Sequence, residues 1–227
     1  MRAIIKEFVD ACTATLPFNE PIYEFGSYQV AGQEGFADLR SFFPGRRYVG
    51  ADMRRGPGVD VILNLHDIGL PDASIGSALV LDTLEHVEKP WRAMEEVHRV
   101  LMPGGVVLIS SVMNFPIHDH PSDYWRFTPE AFRSLLNPFE WALVEWAGEA
   151  AFPETVVGVG CKYAPPAASI AALRAHLAAW QRRWAPRVPP LYERIAKQIV
   201  PPMMLNAYRA IRDRDLRWLR QSWEDPG

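Results

Sequence analysis

Short apolar runs alternate with polar stretches marked by glycine and proline along the first two thirds of the chain. Ile22-Tyr23-Glu24-Phe25 ends in Gly26 and reads as a buried strand and a tight turn. Gly32 and Gly35 follow, then a helix-like segment over residues 36–43 stopped by Pro44-Gly45. Residues 47–52 read as a second strand with an acid at its end, 59–65 as a third and 75–81 as a fourth. Over residues 91–101, Met94, Val97, Val100 and Leu101 recur at helical spacing. Residues 106–112 form a fifth strand, opened by Pro103-Gly104-Gly105. Thr128-Pro129-Glu130 starts a helix, with Thr128 as N-cap and Pro129 at the first helical position. Residues 141–146 and 156–160 read as two final strands.

Nearly all-apolar strands alternating with helices imply a parallel sheet covered on both faces. Such sheets bind ligands at the carboxyl ends of their strands, so function belongs to the residues just after each strand. Beyond position 163 the pattern changes. Ile170, Leu173, Leu177, Trp180 and Trp184 mark one face of a helix that Pro186, Pro189 and Pro190 break. Further helices are predicted over 191–200 and 203–223, giving a helical C-terminal extension over 163–227. The stripe needs a covering partner: the sheet domain, a second subunit in a homodimer through these helices, or a membrane surface.

Charge follows the same division. Residues 1–162 hold 13 Lys/Arg and 22 Asp/Glu, whereas 163–227 hold 11 and 5. A body at −9 does not bind nucleic acid by charge, and the Asn/Asp-Pro-Pro-Tyr/Phe motif of nucleic-acid methylation does not occur. With 48% hydrophobic and 22% charged residues, the 227-residue chain has a globular composition. Cys12 and Cys161 make neither a disulfide framework nor a zinc knuckle. Glu7 and Asp10 interrupt the apolar run a signal peptide would need, and the charge-free stretch 100–117 is broken by turns. The expectation is a cytoplasmic protein.

The strand ends carry the candidate chemistry. Glu24-Phe25-Gly26-Ser27-Tyr28 closes the first strand, without the G-x-G-x-x-G or P-loop patterns. Asp52, 26 residues past Gly26, stands where a carboxylate accepts both ribose hydroxyls of a nucleoside. His66-Asp67-Ile68 follows the third strand, and Asp82-Thr83-Leu84-Glu85-His86-Val87 the fourth.

Taken in order, the acid-x-x-Leu-Pro run (Asp67 to Pro71), Leu84-Glu85-His86-Val87 and the Glu96-Val97-x-Arg99-Val100-Leu101-x-Pro103-Gly104-Gly105 run resemble the class I S-adenosylmethionine-dependent methyltransferases of the methyltransferase type 11 group. The resemblance covers about residues 20–162 and implies a Rossmann-like α/β fold, a seven-stranded mostly parallel sheet with helices on both faces. It implies S-adenosylmethionine as cofactor, Glu24 near the methionine ammonium and Gly26 as the first motif glycine. It also implies Asp52 on the ribose, Asp67 and the Ile68 amide at the adenine, and Asp82 and Leu84 near the methionine moiety. The chain departs from the family's Asp-x-Gly-x-Gly-x-Gly: Tyr28 replaces the second glycine and Gly32 arrives late. Either a longer loop brings Ser27 or Tyr28 to the cofactor, or the domain is non-catalytic and serves as an interaction module.

Methyl transfer from a sulfonium needs an in-line nucleophile and, for a hydroxyl or amine, a proton acceptor. His86 is one candidate base. The segment over 114–127 (NFPIHDHPSDYWRF) supplies His118 and His120 as further bases, and Tyr124, Trp125 and Arg126 as an acceptor-binding wall. With Asp119 between the two histidines and no third ligand nearby, the spacing points to no metal. The segment resembles one in methyltransferases of bacterial surface-polysaccharide gene clusters. That implies a small-molecule or glycan acceptor, methylated at oxygen, and a place in polysaccharide biosynthesis.

Overall fold

In a computed structural model of the chain, residues 1–186 are described, except 31, 33, 34 and 119–121. Seven strands form one sheet: β1 (Ile22–Phe25), β2 (Tyr48–Asp52), β3 (Val61–Ile62), β4 (Ile75–Leu81), β5 (Leu101–Val112), β6 (Trp141–Glu149) and β7 (Phe152–Cys161). Their order is β3-β2-β1-β4-β5-β7-β6. The first five are mutually parallel, and β7 runs antiparallel to β5 and β6. Four helices accompany them: α1 (Ala3–Thr13), α2 (Pro90–Val100), α3 (Pro129–Leu135) and α4 (Ala167–Arg183). This is the expected α/β sheet.

The pleat sends alternate side chains into two cores. Ile22 of β1 and Leu79 and Leu81 of β4 join Phe8 of α1 and Trp180 of α4 on one face. Tyr23, Phe25, Ala78 and Val80 join Met94 and Val97 of α2 and Phe132 of α3 on the other. The Thr128 side chain accepts from the Ala131 amide, the predicted N-cap.

Local hydrogen bonds explain where elements differ from the pattern. The segment over 36–43 yields only a 3-10 turn, Arg40–Phe42, because the Asp38 carboxylate captures the Arg40 amide (2.9 Å) in a competing turn. The third strand shrinks to Val61–Ile62 because Asn64 turns the chain, its side chain accepting from the His66 amide. The fifth strand starts earlier, at Leu101, with Gly104 at φ +77°. Helix α1 is absent from the pattern-based reading. Its Ile4, Ile5, Phe8, Val9 and Cys12 nonetheless have helical spacing, and all are buried.

The compact unit runs from Met1 to Ala185, beyond the expected boundary at 162 and 163. Leu173, Leu177 and Trp180 of α4 are buried, and the Trp180 indole donates to the Ile4 carbonyl (2.8 Å). Trp184 donates to Glu7 (2.8 Å), and Arg183 pairs with the same carboxylate. The apolar stripe is thus covered by α1 and the sheet. The helices predicted over 191–200 and 203–223, and any membrane or subunit contact they make, lie outside the described residues. No helix of the described residues is long and apolar enough to cross a membrane.

Candidate active site

A cavity of about 490 Å³ opens at the carboxyl ends of β1, β2 and β4, where the strand order reverses between β1 and β4. That is the topological switch point at which open α/β sheets take ligands. Gly26, at the end of β1, has φ +88° and donates its amide to the Ala51 carbonyl (2.8 Å). A Cβ at this position would overlap the Thr83 hydroxyl, so only glycine lets the β1 turn lie against the loop after β4.

Asp52 ends β2, is only 8% exposed and lines the cavity. One oxygen, Oδ1, accepts from the Arg54 amide (2.9 Å) and guanidinium (3.1 Å). The other, Oδ2, accepts a long contact from the Tyr28 amide (3.4 Å) and retains acceptor capacity. The Arg54 guanidinium also stacks over the Tyr28 ring, 4.2 Å from its centroid, which fixes the loop after β1 to the loop after β2. Tyr28 therefore forms cavity wall where the family has a small glycine.

The far wall comes from the loop after β4. Asp82 has φ +46°, and its amide bonds both the carbonyl and the hydroxyl of Ser110. Arg2, at the start of α1, donates to both Asp82 oxygens (3.0 and 2.8 Å) and to Thr155 (2.9 Å). Sequence reasoning missed Arg2, since only the packing of α1 brings it to the cavity. Glu85 follows in the same turn. It is buried, accepts from the Ser111 hydroxyl (2.7 Å), and burial and the neighbouring Asp82 push its carboxyl up to about 8.

The segment after β5 folds over this turn and is tied to it by backbone. Tyr124 donates its amide to the Glu85 carbonyl (2.8 Å), and the Trp125 indole donates to the carbonyls of Val87 (3.0 Å) and Glu88 (3.2 Å). His86 Nδ1 lies 2.6 Å from the Ser122 carbonyl. The Arg126 guanidinium clamps Asp123, holding that carboxyl well below its usual range, and also bonds the Phe115 and Pro116 carbonyls. Asp123 in turn accepts from the His118 amide (2.8 Å). The result places the His118 ring edge-on to His86, centroids 4.8 Å apart, and both line the cavity with Glu85.

The candidate residues therefore divide. Gly26, Tyr28, Asp52, Asp82, His86 and His118 meet around one cavity. Glu24 stands beside it on β1. Its buried carboxylate accepts from the Tyr48 hydroxyl (2.6 Å), and burial raises its pKa to about 7. Ser27 is buried behind the wall and Leu84 lies in the core. Asp67 is exposed and outside the cavity lining. The Ile68 amide, expected at an adenine, instead donates to Glu96 (3.0 Å), while Arg99 bonds the Ile68 and Leu70 carbonyls (2.6 and 2.9 Å). The Glu96-x-x-Arg99 pair thus fastens the chain between β3 and β4 to α2, and residues 63–66 line the cavity instead. Tyr124, Trp125 and Arg126 lie outside the lining: the Trp125 indole and the Arg126 guanidinium are taken up by backbone carbonyls and Asp123, and Tyr124 is half exposed. His120 lies outside the described residues.

Residues 47–109 match the profile of a methyltransferase domain, the type 11 group. Uncharacterized methyltransferases of Mycobacterium sp. strains KMS and JLS are 30% and 29% identical over 118 residues, 48% of this chain and 45% of each relative. The chain thus spans about half the length of the curated relatives it matches. Among solved structures, a SAM-dependent methyltransferase from Archaeoglobus fulgidus superposes with a TM-score of 0.53 at 12% identity, over 71% of this chain and 95% of that one. A SAM-dependent methyltransferase from Thermotoga maritima, described as a possible histamine N-methyltransferase, gives 0.50 at 19% identity over 71% and 90%. At these identities the likeness is one of fold.

Proposed function

We propose that the chain, whose residues 47–109 match a methyltransferase domain profile of the type 11 group and whose sheet has the fold of a SAM-dependent methyltransferase, transfers a methyl group from S-adenosylmethionine to a hydroxyl of a small-molecule or glycan acceptor. The observation that carries the reading is the cavity at the β1/β4 switch point, bounded by an obligatory glycine turn and a buried carboxylate. The pocket's residues fit the cofactor. Its volume of about 490 Å³ is that of a nucleoside-sized site. Asp52 Oδ2 is the ribose acceptor, Gly26 lets the backbone approach the methionine moiety, and Asp82 and Arg2 bound it on the far side.

When bound, S-adenosylmethionine supplies an activated methyl on a sulfonium: the acceptor oxygen forms the new C–O bond as the C–S bond breaks, the electron pair returning to sulfur and the hydroxyl proton departing. The chain has three tasks. Phe25, Leu63, Leu65, Val87 and Val112 exclude water from a step in which charge is dispersed rather than created. The walls hold the acceptor in line, roughly 3–3.5 Å from the methyl carbon. One imidazole of the His86–His118 pair then takes the proton. His86 Nδ1 lies against the Ser122 carbonyl, and His118 Nδ1 against the Pro116 carbonyl and Asp123. Each Nδ1 therefore carries the hydrogen in the neutral ring, and each Nε2 carries the lone pair. The loose similarity of segment 114–127 to enzymes of surface-polysaccharide gene clusters supports a sugar hydroxyl as acceptor.

The test is transfer of labelled methyl from S-adenosylmethionine to a panel of sugar, polyol and phenol hydroxyls. Transfer to an oxygen acceptor is expected, with His86→Ala or His118→Ala lowering kcat by about 10²-fold at nearly unchanged cofactor affinity. Full activity in both variants removes the histidines from the mechanism. Cofactor binding with no transfer to any acceptor points to the non-catalytic interaction module.

A further inference from the structure

The inner end of the cavity brings together a donor set that the linear spacing does not show. Glu85 and His86 come from the turn after β4, His118 from the loop after β5. Each offers one ligand atom, and those atoms lie within 4.8 Å of one another. We propose that Glu85, His86 and His118 form a site for one divalent transition-metal ion.

Three features support the site. The first is the orientation of the imidazoles. A histidine that ligates through one nitrogen nearly always donates its other N–H to a carbonyl or carboxylate, which fixes ring and tautomer. Both rings meet that condition: His86 Nδ1 is 2.6 Å from the Ser122 carbonyl, and His118 Nδ1 is 3.2 Å from both the Pro116 carbonyl and Asp123 Oδ2. The second is charge. Glu85 is 1% exposed and receives the Ser111 hydroxyl, while the ion pairs of the neighbouring guanidinium groups are made with other carboxylates, Arg2 with Asp82 and Arg126 with Asp123. A cation bound there gives a buried carboxylate its countercharge. The third is construction. The loop carrying His118 is held by the bidentate Arg126–Asp123 pair and by the Tyr124 amide on Glu85 itself, so the third ligand is positioned by the first.

Two imidazoles and a carboxylate suit zinc, manganese or iron rather than magnesium or calcium. In a tetrahedral zinc site with bonds of about 2.0–2.2 Å, neighbouring ligand atoms sit roughly 3.4 Å apart. The three side chains therefore close inward by about an ångström on binding. Among the described residues the site has three protein ligands, which leaves positions toward the cavity as in catalytic rather than structural sites.

The use of the ion rests on the methyl-transfer reading; its binding does not. With the ion bound, the His86 and His118 lone pairs go to the cation in place of the proton. The cation's charge lowers the pKa of an acceptor hydroxyl, whose proton passes to solvent water before the C–O bond forms and the C–S bond breaks. Open positions favour an acceptor with two adjacent oxygens, such as a vicinal diol or a hydroxy acid.

Zinc titration of the chelator-treated full chain by calorimetry tests the site, with cobalt absorption as a spectroscopic readout of nitrogen and oxygen ligation. One equivalent is expected. His118→Ala and Glu85→Gln should each weaken it by about 10-fold or more, and His176→Ala, an exposed histidine on α4, should not. His118 lies on a loop, so His118→Ala keeps the fold, which a thermal melt verifies. No uptake by the unmodified chain overturns the site. Equal affinity in the His118→Ala, Glu85→Gln and unmodified chains does so too. A parallel titration with S-adenosylhomocysteine separates the two readings: nucleoside binding without zinc binding sinks the cation site alone, and zinc binding without nucleoside binding sinks the methyl-transfer reading alone.

Discussion

Replacing Glu24 by glutamine should make the ligand-free protein more stable at pH 8 than the unmodified chain, while leaving the two nearly matched at pH 4.5. The carboxyl lies on β1 in the core, with the Tyr48 hydroxyl donating to it at 2.6 Å. Burial opposes its charge and raises its pKa from 4.5 to about 7. A carboxyl whose pKa is higher folded than unfolded binds more protons in the native state between those two values. Stability therefore falls as pH rises from 4.5 to about 7, and is level above that. At ~1.4 kcal/mol for each pH unit, the loss is about 3 kcal/mol. Glutamine keeps an acceptor for Tyr48 and has no charge to bury, so the variant escapes the loss. Glu85, raised for the same reason, is present in both proteins and cancels in the difference. Urea unfolding followed by tryptophan fluorescence at pH 4.5 and 8 reads the effect. A difference between the proteins that does not change with pH refutes the argument. One that shrinks as pH rises means Glu24 is stabilised as an anion.

Two further outcomes follow from packing. Gly26→Ala should abolish measurable cofactor binding, because the new Cβ meets Thr83 and the backbone there is left-handed at a cost of roughly 1–2 kcal/mol. Gly26→Ala combined with Thr83→Gly should regain part of the lost thermal stability, and a strictly additive pair would contradict the proposed overlap. Trp180→Ala should lower unfolding free energy by about 3–5 kcal/mol, since it empties a site beside Phe8 and removes the indole bond to the Ile4 carbonyl. A loss under 1 kcal/mol would mean that α4 does not dock on the body as described.

The strands were legible because buried parallel strands are almost wholly apolar, as in the run Ile75–Leu81. Their ends were less so: Asn64 and Asp38 stop or divert the chain with side-chain hydrogen bonds that hydrophobic patterning does not register. At the site, Gly26, Asp52, Asp82 and His86 were readable as residues following strands. Arg2 was not, since its place depends on how α1 packs. Trp125 and Arg126 show the opposite case. Their chemistry suits a ligand wall, yet the indole and guanidinium are taken up by the Val87 carbonyl and by Asp123. Composition identifies polar groups near a site, but only the fold tells which of them face the ligand and which satisfy backbone.

The most direct test of the account is calorimetric titration of S-adenosylhomocysteine into the unmodified chain and into Asp52→Ala. The cavity described here predicts one equivalent bound by the unmodified chain. Asp52→Ala should weaken binding by roughly 10- to 150-fold, since about 1.5–3 kcal/mol of hydrogen bonding from the ribose hydroxyls to a charged acceptor is lost. No heat of binding from the unmodified chain at millimolar ligand, or equal affinity in the two proteins, would contradict the placement of the nucleoside at the end of β2.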